Sequence, residues 1–194
     1  MILPIVGYGS PVLRKIATDI DKNYPELPKL LDNMFETMDN AYGVGLAAPQ
    51  IGLAIRLFVI DTTPFSENEV HTAEERSQLN GFRKVFINAK ITKEEGEEWV
   101  FNEGCLSIPN VREDVSRSKT VHITYQDEQF NTHNEVYDGL IARVIQHEYD
   151  HIEGVLFTDK ISTFKKAFIK KKLQNIMEGK VNADYKMKFA SIKK

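Results

Sequence analysis

The sequence has very little cysteine and no long apolar run, and each absence excludes a class of protein. A single cysteine, Cys105, among 194 residues cannot form an internal disulfide, which is typical of a reducing compartment. No apolar run reaches the roughly 18 residues that a membrane-spanning helix needs. Residues 1–4 lack the basic region followed by an apolar stretch that is typical of a secretory signal peptide. We therefore expect a cytoplasmic protein with no membrane contact.

The overall amino-acid composition is ordinary for a globular protein. The chain is 42% apolar and 27% charged, and a chain of 194 residues can bury a sizeable core. The sequence has no internal repeat and no low-complexity segment. We therefore expect a single domain over residues 1–194.

Charge is unevenly distributed along the chain. The net charge is −3, but residues 160–194 contain eleven lysines against Glu178 and Asp184, a net charge of +9 that leaves −12 for the rest. A basic segment beside an acidic body suits contact with a polyanion. A solvated helix face is the simpler explanation, and both stay open at this point.

Apolar periodicity and capping residues predict four helices. Apolar residues recur at spacings of three and four after Pro25, and Gly43 ends the pattern. Asp138 is a capping residue before another helix, which Gly154 ends. The predicted helices cover about residues 11–16, 26–42, 139–153 and 162–177.

Runs of β-branched and aromatic residues predict strands. These strands lie at about residues 56–62, 85–91, 99–101 and 121–125. Residues 43–52 are too glycine-rich for a helix and are predicted to be extended, and the polar residues 63–83 are typical of a surface excursion. Because strands and helices do not alternate regularly, we expect an α+β fold rather than a doubly wound sheet.

The strongest chemical signal is the sequence HEYDH at residues 147–151. Histidines four residues apart on a helix lie on one face, so His147 and His151 can reach one metal ion, with Glu148 beside them as a base. Apolar residues share this arc of the helix, which predicts that the three polar groups face inward. A chance match, or two hydrogen-bonded core histidines, is the alternative, but burying such groups without a purpose is costly.

A catalytic metal site also needs a third protein ligand and an open position for water. No histidine follows His151, Glu153 is too close on the same helix, and Glu178 lies in the lysine-rich segment. Upstream, Cys105 lies in the sequence EGCLSIP, and a thiolate is a strong metal ligand. A lone cysteine is more often a buried apolar residue, so both roles stay open from the residues alone.

Three segments together resemble a known family. GVGLAAPQ at residues 43–50, EGCLS at 103–107 and QHEYDH at 146–151 resemble the three signature motifs of peptide deformylases, in their usual order. The similarity extends over roughly residues 4–160. It implies an α+β fold in which antiparallel or mixed sheets pack around a central helix with the HExxH motif, followed by a C-terminal helix.

The resemblance also implies a reaction. Cys105, His147 and His151 would hold one divalent ion, Fe²⁺ in the native enzyme and Zn²⁺ or Ni²⁺ in some purified protein. Hydroxide formed at the metal would attack the formyl carbonyl of N-formylmethionyl nascent peptides, with Glu148 as the general acid and base.

Further residues follow from the same resemblance. The side chain of Gln50 and the backbone N–H of Leu106 would stabilise the oxyanion. The peptide would lie extended beside the glycine-rich segment like an added strand. Residues 160–194 would contact the ribosome in a bacterial cytoplasm. The implied substrate contacts are Val44, Gly45, Phe101, Glu103, Gly104, Arg112, Leu140 and Val144.

Departures from the family pattern are few, and two other functions compete. Residues 63–83 are longer than in minimal members, and Arg143 stands where some members have an aliphatic residue. Arg117 and Asp150 are expected to pair, either behind the site or on the surface.

Of the competing functions, a zincin-type metalloprotease would share HExxH but not need Cys105. A non-catalytic, metal-stabilised ribosome-binding module would normally need four protein ligands.

Overall fold

The computed structural model describes residues 1–190 and has the expected α+β architecture. Within these residues the α-helices are α1 (Leu27–Asn40), α2 (Thr63–Ser66), α3 (Ala73–Leu79), α4 (Gly139–Ile152) and α5 (Thr163–Met177). The strands are β1 (Ile5–Val6), β2 (Gly45–Ala47), β3 (Leu57–Asp61), β4 (Arg83–Cys105), β5 (Ile108–Gln126), β6 (Thr132–Asp138) and β7 (Met187–Lys188). Short 3-10 helices occur at Pro11–Arg14, Ala48–Ile51 and Phe157–Asp159.

Five strands form an antiparallel sheet in the order β2-β3-β4-β5-β6. In β3, Leu57 pairs with Ile87 and Phe58 pairs with Phe86, and residues 57–60 are fully buried. A strand that is covered on both faces needs apolar side chains in consecutive positions, and β3 has them. β2 lies at one edge of this sheet, so one of its sides has no strand partner among the described residues.

A long hairpin of β4 and β5 corrects the strand prediction. Residues 85–91 and 99–101 belong to one strand of 23 residues rather than to two strands, and residues 121–125 lie near the end of the 19-residue β5. Register shifts, one of them between Glu95 and Glu98, mark bulges along the hairpin. The middle of β4 is charged and exposed, so it lacks the alternation that identifies a half-buried strand.

The helix α4 packs on this sheet and carries the HExxH motif into the interior. Ala142, Ile145 and Ile152 are fully buried in a cluster with apolar residues of β3, β4 and β5. The helix α1 packs on a second cluster through Met34 and Met38. The helices predicted at about residues 26–42, 139–153 and 162–177 are therefore confirmed.

Two other local predictions were wrong in part. The first helix is only a 3-10 turn at Pro11–Arg14, and Ser10 makes no capping hydrogen bond. The segment at residues 43–52 is extended only at Gly45–Ala47 and then forms a 3-10 helix at Ala48–Ile51. Pro49 is the second residue of this 3-10 helix, where its missing N–H needs no partner within the helix.

The polar segment at residues 63–83 contains the two short helices α2 and α3 rather than turns alone. Thr72 begins α3 with a capping box, in which its hydroxyl accepts from the N–H of Glu75 and the carboxylate of Glu75 accepts from the N–H of Thr72. Leu79 at the end of α3 is buried, which anchors the segment to the body.

After α5 the chain folds back across the molecule. β7 pairs in parallel with β1, with Met187 opposite Ile5. Ile169 of α5 is buried, whereas Phe164 and Phe168 are 73% and 68% exposed. Among residues 1–190 no helix is both long and apolar enough to cross a bilayer.

Candidate active site

The side chains of Cys105, His147 and His151 converge inside the molecule. Cys105 ends β4 and the two histidines lie one turn apart on α4, so a strand and a helix both supply donors. The candidate ligand atoms of the three residues all lie within 4.8 Å of one another. Sγ of Cys105 lies 3.3 Å from Nε2 of His151, and the two imidazole rings are 5.2 Å apart.

Glu103 orients the imidazole of His147. Nδ1 of His147 donates a hydrogen bond to Oε2 of Glu103 at 2.9 Å, so Nε2 is the nitrogen left for a ligand. Burial alone raises the pKa of Glu103, but hydrogen bonds from His147 and Arg117 hold this pKa well below its ordinary value. The carboxyl group of Glu103 is therefore charged.

Two buried arginines hold Glu103 in place. Arg117 donates to both oxygens of Glu103 at 2.7 and 2.9 Å, and Nη1 of Arg143 donates to Oε1 at 2.9 Å. Arg117 also donates to Asp150 at 2.7 Å, so this pair lies behind the site rather than on the surface. The prediction made Glu103 a substrate contact, but its carboxylate is directed at His147 and the arginines.

Glu148 lies buried beside the candidate ligands. It is only 4% exposed, and its Oε2 has no hydrogen-bond partner among residues 1–190. Burial raises the pKa of Glu148 to about 7. A Cβ on Gly45 would overlap the carboxylate of Glu148, so glycine is what allows β2 to pass this close. A carboxyl group with a pKa near neutrality can both accept and release a proton.

Gln50 and Leu106 border the same group. Oε1 of Gln50 accepts a hydrogen bond from the backbone N–H of Ala47 at 2.8 Å, which turns Nε2 toward Sγ of Cys105 at 3.5 Å. Leu106 follows Cys105, and its carbonyl accepts a hydrogen bond from the hydroxyl of Tyr185 at 2.7 Å. One side-chain amide thus faces the candidate ligands, and a backbone amide comes directly after Cys105.

A cavity of about 440 Å³ lies beside the candidate ligands, and its lining includes Gln50, Glu103, Cys105, Leu106, His147 and Glu148. Leu140 does not line it, because this residue lies one turn before Val144 on α4 and faces a neighbouring cavity. The structure therefore separates Leu140 from the predicted substrate contacts. The residues of the predicted set that do line the cavity are Val44, Gly45, Phe101, Glu103, Gly104, Arg112 and Val144.

The donor set fits a divalent metal ion. One thiol and two imidazoles suit iron and zinc, and three protein ligands leave a position open. A carboxylate already orients His147, which is the usual support of a metal-binding histidine. No fourth His, Cys, Asp or Glu joins the group within residues 1–190, so the site lacks the closed ligand set of a structural metal.

Comparison with known proteins decides the family. A family model described as polypeptide deformylase matches residues 2–167. The chain belongs to the polypeptide deformylase family. The peptide deformylase of Flavobacterium johnsoniae is 69% identical over 100% of this chain and 99% of its own length. That of Salinibacter ruber is 44% identical over 95% of this chain and 93% of its own.

Solved structures agree with this assignment. The structure of peptide deformylase from Thermotoga maritima aligns over 84% of this chain and 99% of its own chain, with 37% identity and a TM-score of 0.72. A Plasmodium falciparum peptide deformylase covers 90% of this chain and 95% of its own, with 30% identity and a TM-score of 0.78. The chain is thus a metal-dependent hydrolase that removes the N-formyl group from nascent peptides. A zincin-type protease and a non-catalytic ribosome-binding module are not supported.

The cavity of this deformylase includes residues that the sequence analysis missed. The family model ends at residue 167, but residues 182–185 also line the cavity. Tyr42 and Phe65 line it as well. Nothing in the lysine-rich C-terminal sequence indicates a role at the site. Long-range contacts bring this segment back, among them the pairing of β7 with β1 and the hydrogen bond from Tyr185 to the carbonyl of Leu106.

Proposed function

We propose that this chain hydrolyses the formyl amide of N-formylmethionyl nascent peptides at one divalent ion held by Cys105, His147 and His151. The observation that carries the proposal is the convergence of these three candidate ligand atoms within 4.8 Å. Beside them lies a buried carboxylate oxygen that has no hydrogen-bond partner among residues 1–190. When bound, the ion acidifies water and polarises a carbonyl group. The side chains around the ion carry out the remaining steps.

Glu148 moves the proton in this proposal. Its buried carboxylate lies beside the candidate ligands, where it accepts a proton from the attacking water and then donates that proton to the leaving amine. Its Oε2 has no partner among the described residues, so this oxygen is free for the water. A side chain at position 45 would overlap this carboxylate, so Gly45 leaves room for it.

Gln50 and Leu106 stabilise the oxygen that becomes negative. Because the side-chain oxygen of Gln50 is occupied by the N–H of Ala47, its NH₂ group is the part directed at the site. The backbone N–H of Leu106 supplies a second neutral donor. Donors that are positioned before the reaction stabilise an oxyanion without reorganising, which typically contributes a factor of about 10²–10³ in rate.

The substrate peptide lies along β2 in an extended conformation. β2 is an edge strand of its sheet, so its free side can pair with an added strand. The first side chain of the formyl peptide then enters the cavity at Val44, Phe101 and Val144. Gly104 and Arg112 lie along the following residues of the peptide, where Arg112 is exposed.

The native ion in this proposal is Fe²⁺, and Zn²⁺ or Ni²⁺ can take its place in purified protein. One thiolate and two imidazoles support either assignment. Metal analysis of protein purified without air, together with formate release from formyl-Met-Ala-Ser, tests the ion and the activity. Formate release without one metal ion per chain would contradict the site. Cleavage of a peptide bond in an unformylated peptide would instead indicate a protease.

We further propose that residues 1–194 form one catalytic domain. The support is that β7 pairs with β1 and that Tyr185 donates to the carbonyl of Leu106, which joins the end of the described chain to its start and to the site. A single calorimetric unfolding transition is expected. Two separate transitions would contradict this proposal.

The lysines of α5 are proposed to bring the enzyme to the ribosome in the bacterial cytoplasm. Support comes from the net charge of +9 of residues 160–194 and from the exposure of Lys170, Lys171 and Lys172 on the helix. Contacts of lysines with a polyanion weaken steeply with salt. Replacing these three lysines with alanine should reduce co-sedimentation with ribosomes at low salt.

The same variant should deformylate a short free peptide at the normal rate. A matched control replaces the exposed Lys15, Lys22 and Lys90, which changes the net charge equally. Deleting the chain after α5 is not a clean test, because residues 182–185 line the cavity. Equal co-sedimentation of both triple variants and the unchanged protein would refute the proposal.

A further inference from the structure

A second cavity, of about 480 Å³, shares a wall with the first. It lies between α3, the first turn of α4 and the middle of the β4–β5 hairpin. Its apolar lining consists of Leu79, Trp99, Phe101, Leu140 and Ile141. Its charged or titratable side chains are His71, Glu74, Glu75, Lys119 and Asp138.

Phe101 is the one side chain among residues 1–190 that lines both cavities. Its ring meets that of Phe65, which lines only the first cavity, edge-on at 6.4 Å. Its ring also lies 5.6 Å from that of Trp99, which lines only the second cavity. The guanidinium of Arg143 lies 4.4 Å from the Trp99 ring and 5.9 Å from the Phe101 ring. The side chain of Phe101 thus separates the two cavities and is packed against an aromatic ring on each side.

We propose that Phe101 sets the length of side chain that the substrate pocket accepts, and that the second cavity is an extension whose apolar residues contact longer unbranched side chains. This inference rests on the proposed function, which places the first side chain of the formyl peptide at Val44, Phe101 and Val144. With the phenyl ring in place, a side chain of the length of methionine ends at Phe101. Without it, the two volumes join, and each further buried methylene contributes roughly fourfold to binding.

The test compares two substrates that differ only in length. One is formyl-norleucyl-Ala-Ser, and the other carries 2-aminodecanoic acid in place of norleucine, which adds four methylenes. The ratio of kcat/KM for the long and the short substrate does not depend on the fraction of folded enzyme. This ratio should be at most about one tenth in the unchanged protein. Phe101→Ala should raise it at least tenfold, as expected if some of these methylenes become buried.

Phe65→Ala is the matched control, because it removes the same phenyl ring from the first cavity without opening the second. Its ratio should stay within about threefold of that of the unchanged protein. In the Phe101→Ala background, Leu140→Trp should fill the second cavity and abolish the gain. Loss of the gain in this double variant would place the long side chain beside Leu140.

Three results would overturn the inference. The first is a ratio that Phe101→Ala does not raise, and the second is an equal rise in Phe65→Ala. The third is a gain that survives Leu140→Trp. If Phe101→Ala changes kcat/KM for neither substrate, the proposed substrate pocket is itself wrong. Formate release from formyl-Met-Ala-Ser by the unchanged protein tests the proposed function separately.

Discussion

Nδ1 of His147 donates to Oε2 of Glu103 at 2.9 Å, and this contact decides which nitrogen of the histidine faces Cys105. Glu103 is 4% exposed and is held by Arg117 and Arg143. A buried carboxylate with three such donors has little freedom to move. The orientation of one candidate metal ligand, His147, is therefore set by the fold itself.

Glu103→Gln should weaken metal binding without removing a ligand. The amide can still accept from Nδ1 of His147, but the negative charge that strengthens the imidazole as a donor is lost. Loss of such a partner typically costs about 10–100-fold in metal affinity. Competition with a chelator measures this affinity directly. Glu98→Gln, an exposed position on the same strand, is the control and should bind metal normally; equal affinities in both variants would contradict the role of Glu103.

Glu148→Gln should keep the metal and lose most of its turnover. In the proposed function Glu148 moves protons and is not a metal ligand, and general acid–base groups typically contribute about 10²–10⁴-fold. Metal content and formate release are measured on the same sample. Glutamine keeps the size of the side chain beside Gly45, so a loss of folding should not confuse the result. Near-normal formate release would show that the proton is moved by another group.

Peroxide should inactivate the enzyme and release its metal together. Cys105 is the only cysteine, and oxidation of its thiolate to sulfinic acid would remove a ligand. Mass spectrometry should locate the added oxygen atoms on the peptide that contains Cys105, and metal release should follow the same time course. Protein that loses its activity in peroxide while Cys105 stays reduced and the metal stays bound would argue against this ligand.

Tyr185→Phe should lower kcat moderately and leave metal content unchanged. The hydroxyl of Tyr185 donates to the carbonyl of Leu106 at 2.7 Å, and a hydrogen bond of this kind typically contributes about 1 kcal/mol, or roughly fivefold in rate if it is lost only in the transition state. Tyr24 packs on the apolar cluster of Met34 and Met38. Tyr24→Phe removes the same hydroxyl there and should leave kcat unchanged. Equal kcat in both variants would mean that the C-terminal segment does not support Leu106.

The helix spacing of the two histidines could be read from the sequence because it is local. His147 and His151 share a face of any α-helix, and the helix itself follows from its apolar periodicity and from Gly154 at its end. The motif around Cys105 added the third candidate through the family resemblance. The structure brings these residues together, as the sequence analysis expected.

The contacts of Glu103 could not be predicted in this way. Its partners Arg117 and Arg143 are 14 and 40 residues away, so no local pattern links them. The same limit applies to Tyr185, which reaches Leu106 across 79 residues. For Leu140 the limit is different: helical spacing gives its face on α4, but not which of two adjacent cavities that turn of the helix lines.

X-ray absorption spectroscopy of the zinc-loaded protein tests the proposed metal site without an activity assay, because it reports the atoms bound to the metal. We expect one sulfur at about 2.3 Å and two imidazole nitrogens at about 2.0–2.1 Å. Cys105→Ser should lose the sulfur signal. A spectrum of the unchanged protein without sulfur, or a sulfur signal that survives Cys105→Ser, would contradict the proposed metal site.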